Sequence, residues 1–152
     1  MEDLSKILRN HPFMSDMLEQ HINQIVECAS NVVFRENEYI FREGEEAKRF
    51  YLIRTGKVAL DINGREKGKI RVLTLGSGQI LGWSWIILPY RWHFDAQVIE
   101  DVRAIAMDGE CLRKKFNLDP KLGYEMLKRF TQILEQRLNV TRIQLMDVYK
   151  RG

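Results

Sequence analysis

The sequence predicts a mainly β domain with helices at both ends, because the spacing of its apolar residues changes twice along the chain. They recur every three or four residues in about residues 1–30, alternate with polar residues in about 31–110, and return to helical spacing in about 111–150. Turn signals containing glycine divide the middle region into many short strands, which is typical of a sandwich or barrel. We therefore expect a single domain over residues 1–152.

The N-terminal region should form a pair of short helices. Leu4, Ile7 and Leu8 make the first apolar group, and a second group at helical spacing occupies residues 17–26. Pro12 lies between them and divides the two segments. Their apolar faces need a larger body to pack on.

The middle region shows the two-residue period of half-buried strands. Asn63-Gly64 is a strong signal for a two-residue hairpin, since both central residues of a type I′ turn need positive φ. The alternating apolar sets are Val58, Leu60 and Ile62, then Ile70 and Val72, then Phe94, Ala96 and Val98.

The C-terminal region predicts a short helix followed by a long one that begins near Pro120. At 1.5 Å per residue, its apolar stripe extends over roughly 40 Å, which is more than a domain of this size covers. We expect a homodimer through this helix, although a helix folded back on the barrel is the alternative. Arg137 and Gln144 interrupt the stripe. Its apolar members are Tyr124, Leu127, Phe130, Leu134, Leu138, Thr141, Leu145 and Val148.

Composition and charge argue against several classes of protein. The 24 basic residues against 21 acidic ones give a net charge of only +3, and they are scattered, so no nucleic-acid patch is predicted. The first residues lack the pattern of a signal peptide, and no apolar run is long enough to cross a membrane. Cys28 and Cys111 lie far apart without CxxC spacing, so we expect reduced packing residues and a cytoplasmic protein.

The sequence does not predict an enzyme or a metal site. It contains only His11, His21 and His93, without a His-x-His pair, and no Gly-x-Ser-x-Gly elbow. His93 lies two residues from Asp95, but no nucleophile accompanies them.

Four motifs in order carry a family resemblance. They read LRNHPF at residues 8–13, FREGEEA at 41–47, FYLIRTGKV at 50–58 and GQILG at 78–82. Together with the flanking helices, they resemble the sensor domain of Crp/Fnr-type regulators, the cyclic-nucleotide-binding domain. The resemblance implies a jelly roll (a double-stranded β-helix), a regulatory role in signal transduction, and a phosphate-binding cassette from Gly78 onward. It also implies a stand-alone form without a helix-turn-helix, which does not bind DNA by this chain alone.

The cassette departs from the pattern of members that bind cyclic AMP or cyclic GMP. In those members a glutamate holds the ribose 2′-hydroxyl and an arginine pairs with the phosphate. Here Trp83 replaces the glutamate, and Trp92 falls at the arginine position with Arg91 beside it. Asp95 stands where the family offers a hydroxyl, and we expect its charge to repel a phosphate. The sequence therefore predicts a degenerate cassette that does not bind these nucleotides in the usual way.

Two functional hypotheses follow from the aromatic residues that replace the anchors. The domain is either a sensor with a modified cavity for another small ligand, or a structural, dimerising module in which the aromatics fill the pocket. The family resemblance adds a third hypothesis, that the chain is a genuine cyclic-nucleotide-binding signalling protein. The sequence also leaves open whether the domain has a protein partner. The residues predicted to bind a ligand are Gly82, Trp83, Ser84, Arg91, Trp92, His93 and Asp95.

Overall fold

The N-terminal segment of the computed structural model, which describes residues 3–64, 66 and 68–151, contains the two predicted short helices. Helix α1 spans Leu4–Asn10, and Asp3 caps it by accepting a hydrogen bond from a backbone N–H two residues on. A 3₁₀ turn at Pro12–Met14 ends this segment. Helix α2 spans Glu19–Ile25 and continues into a second 3₁₀ turn at Val26–Cys28.

Within the described residues, six strands form the β-roll, and all of their pairings are antiparallel. The order along the main path is β1-β6-β3-β4, while β2 pairs with β6 and β5 pairs with β3. The mainly β architecture with flanking helices is thus confirmed. The strands are β1 Ala29–Phe34, β2 Tyr39–Phe41, β3 Arg49–Gly64, β4 Gly68–Leu75, β5 Ile80–Leu81 and β6 Asp95–Asp108.

The two long strands, β3 and β6, change direction in the middle. Their register shifts between Ile53 and Val58, where Gly56 has a φ of +97°. A Cβ at Gly56 would lie 2.2 Å from the carbonyl oxygen of Asp101, so the two strands approach each other too closely for any other residue. Each long strand therefore supplies two segments of the roll.

The predicted hairpin is present, but its turn was placed wrongly. Asn63 and Gly64 still belong to β3, where they pair with Lys69 and Gly68. The connection follows Gly64, and two of its residues, 65 and 67, lie outside the described part of the chain. The glycine with positive φ is Gly68, at +69°, so the ladder extends past the dipeptide that signalled the turn.

His11 fixes the N-terminal segment to the roll. Its buried imidazole accepts a hydrogen bond at Nδ1 from the N–H of Phe13 over 3.2 Å, so Nε2 carries the proton and donates to the carbonyl of Ile53 over 3.0 Å. Burial lowers the pKa of His11, while the bond to Ile53 raises it to a smaller extent. The neutral ring is therefore the form that the fold holds.

The expectation of two reduced cysteines is wrong. Cys28, the last residue of the 3₁₀ turn before β1, and Cys111, in helix α3 (Gly109–Leu118), form a disulfide across a sequence separation of 83 residues. Beside it, Lys115 forms an ion pair with Glu27. Spacing along the sequence could not reveal this pair, because the fold alone brings α3 next to the start of β1.

The chain divides into two compact units, Met1–Lys115 and Phe116–Gly152, and the second consists mostly of helix α4. This helix spans Pro120–Arg151, about 48 Å at the usual rise, and begins at the predicted proline. Phe130 is buried, whereas every residue from Leu138 to Lys150 is exposed. Among the described residues, no helix is both long and apolar enough to cross a membrane.

Candidate functional site

The cassette begins at β5 and follows an irregular path. After Gly82, whose φ is +97°, the chain makes a 3₁₀ turn at Ser84–Ile86, a cis peptide bond before Pro89, and a positive φ of 57° at Tyr90. The expected positive φ is found at each of the motif glycines, Gly44, Gly56, Gly78 and Gly82.

Trp92 occupies the interior of the roll beside the cassette. Its indole is 5% exposed and stacks on the ring of Phe41, with centroids 3.8 Å apart and an angle of 7° between planes. A Cβ at Gly82 would lie 2.5 Å from a ring carbon of Trp92, so only glycine leaves room for the indole there. The side chain at the expected arginine position is therefore a packing residue.

The other two tryptophans have different surroundings. Trp85 is completely buried and stacks on Phe50 at 5.1 Å, on the core side of the cassette. Arg113 of α3 donates a hydrogen bond to the carbonyl of Trp85, and its guanidinium lies 4.4 Å from the ring centroid of Tyr90. Trp83, at the expected glutamate position, is half-buried. Through Arg113, two points of the cassette, Trp85 and Tyr90, are in contact with α3.

Very little space remains inside the cassette. The cassette cavity has a volume of about 10 Å³, which is about what one water molecule needs. Four predicted residues line it, and the additional ones come from β2, β3, β5 and the residue before β6. The lining residues are Phe41, Leu60, Leu81, Gly82, Trp83, Ser84, Trp92 and Phe94.

Arg91 and His93 do not line the cassette cavity. Both side chains are exposed, as expected for neighbours of the inward-facing Trp92. Arg91 forms an isolated β-bridge with Glu46, and its guanidinium donates to the carbonyl of Gly44 over 3.3 Å. Arg91, the arginine nearest to the position of the family's phosphate-binding arginine, is thus exposed and bound to a backbone carbonyl.

Asp95 is buried, but not beside the cassette cavity. Its carboxylate accepts a hydrogen bond from the N–H of Glu43 over 2.7 Å and forms an ion pair with Arg42 at 3.5 Å. Phe94, the preceding residue, lines the cassette cavity, so side-chain alternation turns Asp95 to the other face. The carboxylate that we expected beside the phosphate position therefore binds Arg42 and the backbone of Glu43 instead.

A polar cluster surrounds Asp95 on this second face. Asp61, also buried, lies directly opposite Asp95 in the β3–β6 ladder. From β4, Arg71 approaches Asp61 at 3.3 Å and Lys69 at 3.7 Å, and Lys69 also donates to the hydroxyl of Tyr39 over 2.6 Å. These cations compensate the two buried carboxylates, so the cluster joins strands rather than forming an anion site.

The described residues were also compared with the ligand sets that metal ions need. Among the residues that the structure describes, no group of three or more histidine, cysteine, aspartate or glutamate side chains could hold a metal ion.

Comparison with known proteins agrees with this geometry. The profile described as "Cyclic nucleotide-binding domain" matches residues 31–119, more than half of the chain. The chain belongs to the cyclic nucleotide-binding domain family. The resemblance and the jelly-roll fold predicted from the motifs are therefore confirmed.

Three similar proteins illustrate the range of this family. A CRP-like cAMP-activated global transcriptional regulator from Mycobacterium tuberculosis is 30% identical over 118 residues, which cover 77% of this chain and 50% of that protein. A cyclic nucleotide-binding domain from Methylobacillus flagellatus superimposes with a TM-score of 0.79 at 17% identity, covering 95% of this chain and 79% of that one. The regulatory subunit of a cAMP-independent protein kinase A from Trypanosoma brucei gives a TM-score of 0.68 at 23% identity, covering 84% and 45%. The chain spans half or less of the curated relatives that it matches first.

Proposed function

We propose that this chain is a regulatory, small-molecule-sensing domain whose degenerate cassette does not bind cyclic AMP or cyclic GMP in the usual way. The regulatory role rests on the family to which the chain belongs, and the loss of ordinary nucleotide binding rests on Trp92, whose indole stacks on Phe41 and leaves a cavity of about 10 Å³. A sugar, a phosphate and a base do not fit in the space of one water molecule.

The polar groups that would grip a nucleotide also differ. Trp83 offers no acceptor for a ribose hydroxyl, and Arg91 is exposed and bound to the carbonyl of Gly44. Without a charge-assisted pair, a phosphate that enters the cassette loses its hydration and gains little in return. The name of the similar kinase subunit from T. brucei, "cAMP-independent", supports the idea that this fold also serves regulators that do not respond to that nucleotide.

Isothermal titration calorimetry of the chain with cyclic AMP and cyclic GMP tests the proposal. We expect no saturable heat, because neither the space nor the anchors are in place. Micromolar binding of either nucleotide would show that the proposal is wrong.

A double variant, Trp83→Glu with Trp92→Arg, tests the cause of the loss. It supplies both family anchors and removes the stacked indole, so we expect cyclic AMP binding to appear. The matched control, Trp83→Gln with Trp92→Met, removes the same indoles without adding charges, and we expect it to show no cyclic AMP binding. Equal binding by the control would mean that space alone excludes the nucleotide, and no binding by either would contradict the assignment of these two positions.

A structural, dimerising role is a second candidate, favoured by the exposed part of helix α4. Of the residues predicted for the interface, Phe130 is buried within the chain and Leu134 half-buried. The exposed fractions of the apolar residues that remain are 47% for Leu127, 51% for Leu138 and 55% for Leu145. A second copy of α4 would bury this stripe across a two-fold axis.

Sedimentation of Leu145→Glu beside the wild type tests the dimer. We expect a dimeric wild type and a monomeric variant, because a carboxylate in an apolar seam is costly to bury. Asn139→Glu, on the same helix but outside the apolar stripe, is the control and should remain dimeric. If wild type and Leu145→Glu are both monomers, α4 is not an interface.

We also propose that the domain acts in the cytoplasm in a regulatory rather than a catalytic role, by analogy with the similar transcriptional regulator and the similar kinase regulatory subunit. The Cys28–Cys111 disulfide counts against this location, since reducing compartments rarely maintain such bonds. The redox state of these thiols in cells, measured by alkylation and mass spectrometry, decides the point: mostly reduced thiols agree with the cytoplasm.

A further inference from the structure

A second cavity lies against the same stacked pair of rings that closes the cassette. Phe41 and Trp92 line both cavities, so this pair separates them. The outer cavity has a volume of about 230 Å³, compared with about 10 Å³ for the cassette cavity. It is large enough for a small organic molecule, and it belongs to the β-roll unit alone.

The floor of the outer cavity is aromatic. Phe41, Tyr51 and Trp92 line it and are 6%, 8% and 5% exposed. Burial raises the pKa of Tyr51, and the positive charge of Arg49 opposes that shift to a smaller extent. Only small parts of these rings reach the cavity, so they offer apolar contact at its base rather than a full stacking face.

The rim of the outer cavity carries two acidic and two basic side chains. They are Glu45, Glu46, Lys48 and Arg49, and all four are exposed. The one ion pair between them, Lys48 with Glu46, spans 3.9 Å between side chains that are 73% and 60% exposed, so a ligand can replace it at low cost. Because the four charges sum to zero, the rim favours neither an anion nor a cation, and a dipolar ligand can satisfy both signs.

The backbone around the outer cavity forms hydrogen bonds directly with the backbone of the cassette. The N–H of Gly44 donates to the carbonyl of Trp92 over 2.8 Å, and the N–H of Trp92 donates to the carbonyl of Glu45 over 3.0 Å. The N–H of Ala47 donates to the carbonyl of Tyr90 over 2.7 Å. A molecule held by this loop therefore acts on the end of the cassette.

We propose that the outer cavity binds a small zwitterion with a planar body, of the class of aromatic amino acids. Its ring contacts the exposed parts of the floor beside Trp92, Arg49 holds its carboxylate, and Glu46 holds its ammonium group. This site goes beyond the proposed function of the cassette and does not depend on whether the cassette accepts a nucleotide.

Nuclear magnetic resonance titration of the ¹⁵N-labelled chain tests this site, with L-tryptophan and L-phenylalanine as probes. We expect saturable shifts of the Trp92 indole N–H and of the Gly44 and Ala47 amides. Tryptamine and indole-3-propionate present the same ring with one charge each, and we expect each to bind at least about tenfold more weakly than L-tryptophan, because one charge-assisted contact is lost. Calorimetry with cyclic nucleotides reports on the cassette separately.

Two variants locate the site. Arg49→Gln should weaken L-tryptophan binding by about tenfold or more and leave tryptamine unaffected, whereas Arg35→Gln, an exposed arginine paired with Asp101, should change neither. The proposal is overturned if neither amino acid gives saturable shifts up to about 10 mM, a bound on any meaningful affinity. It is also overturned if the single-charge analogues bind as tightly as L-tryptophan, or if Arg49→Gln has no effect.

Discussion

The β-roll and the cassette that it carries differ in how closely they follow the pattern of the family. The roll keeps its glycines, and Gly44, Gly56, Gly78 and Gly82 all have the positive φ that its turns require. The cassette replaces its expected polar side chains by Trp83 and Trp92. The difference teaches that backbone geometry specifies this scaffold, while the side chains inside it can be exchanged for others of suitable volume.

The largest expected effect lies on the scaffold side, at the disulfide. Cys28→Ser with Cys111→Ser should lower the free energy of unfolding by about 4–5 kcal/mol, because the unfolded chain is no longer closed into a loop of 83 residues. Urea denaturation measures the change. Reductant should lower the Tm of the wild type and leave the variant unaffected; an unchanged wild type with titratable free thiols would contradict the prediction.

The next effect lies in the cassette and asks whether its aromatic filling has become part of the core. Trp92→Ala should cost about 3–4 kcal/mol of stability, since it empties the space beside Phe41 and Gly82. Chemical denaturation of Trp92→Ala beside Trp83→Ala makes the comparison. The half-buried Trp83 should cost clearly less, and equal losses would mean that Trp92 has no special packing role.

A pH-dependent effect returns to the scaffold, at His11. Because burial lowers the pKa of His11 in the folded chain below its ordinary value of 6.5, the unfolded chain binds more protons in acid. The stability from this residue is present above the unfolded pKa and is lost as the pH falls through the folded one. Thermal melts between about pH 7 and pH 5 should show a smaller loss for His11→Gln than for the wild type. Asn10→Gln, at a neighbouring exposed site without an ionisable group, should keep the wild-type slope; a change there would assign the effect elsewhere.

The smallest effect is expected at Arg91, and its smallness is informative. Its side chain is exposed and bound only to the carbonyl of Gly44 among the contacts described for it, so Arg91→Gln should change the stability by less than about 0.5 kcal/mol. Thermal denaturation checks this value. If Arg91→Gln instead abolished a nucleotide response of the wild type, Arg91 would be the phosphate arginine and the cassette would follow the family pattern after all.

Much of the scaffold could be predicted from the sequence because its signals are local. Apolar spacing located the helices near Pro12 and Pro120, and the motif glycines marked the turns. The hairpin after β3 was misplaced, since pairing between Gly64 and Gly68 extends the ladder beyond the turn signal. The disulfide was missed because only the tertiary fold brings Cys28 and Cys111 together.

The cassette was predicted less completely, because the side chains that fill it come from strands that are distant in sequence. Phe41 comes from β2 and was not expected opposite Trp92. The position of Asp95, in contrast, could have been found from the sequence. Phe94, Ala96 and Val98 were recognised as the inward-facing set, and the same alternation directs Asp95 to the other face.

The ring pair of Phe41 and Trp92 forms a common wall between two chambers of unequal size. Any movement of this wall that widens one chamber narrows the other. Two molecules seeking opposite sides would hinder each other without touching, and each would reduce the affinity of the other by the same factor, as reciprocity of linked equilibria requires.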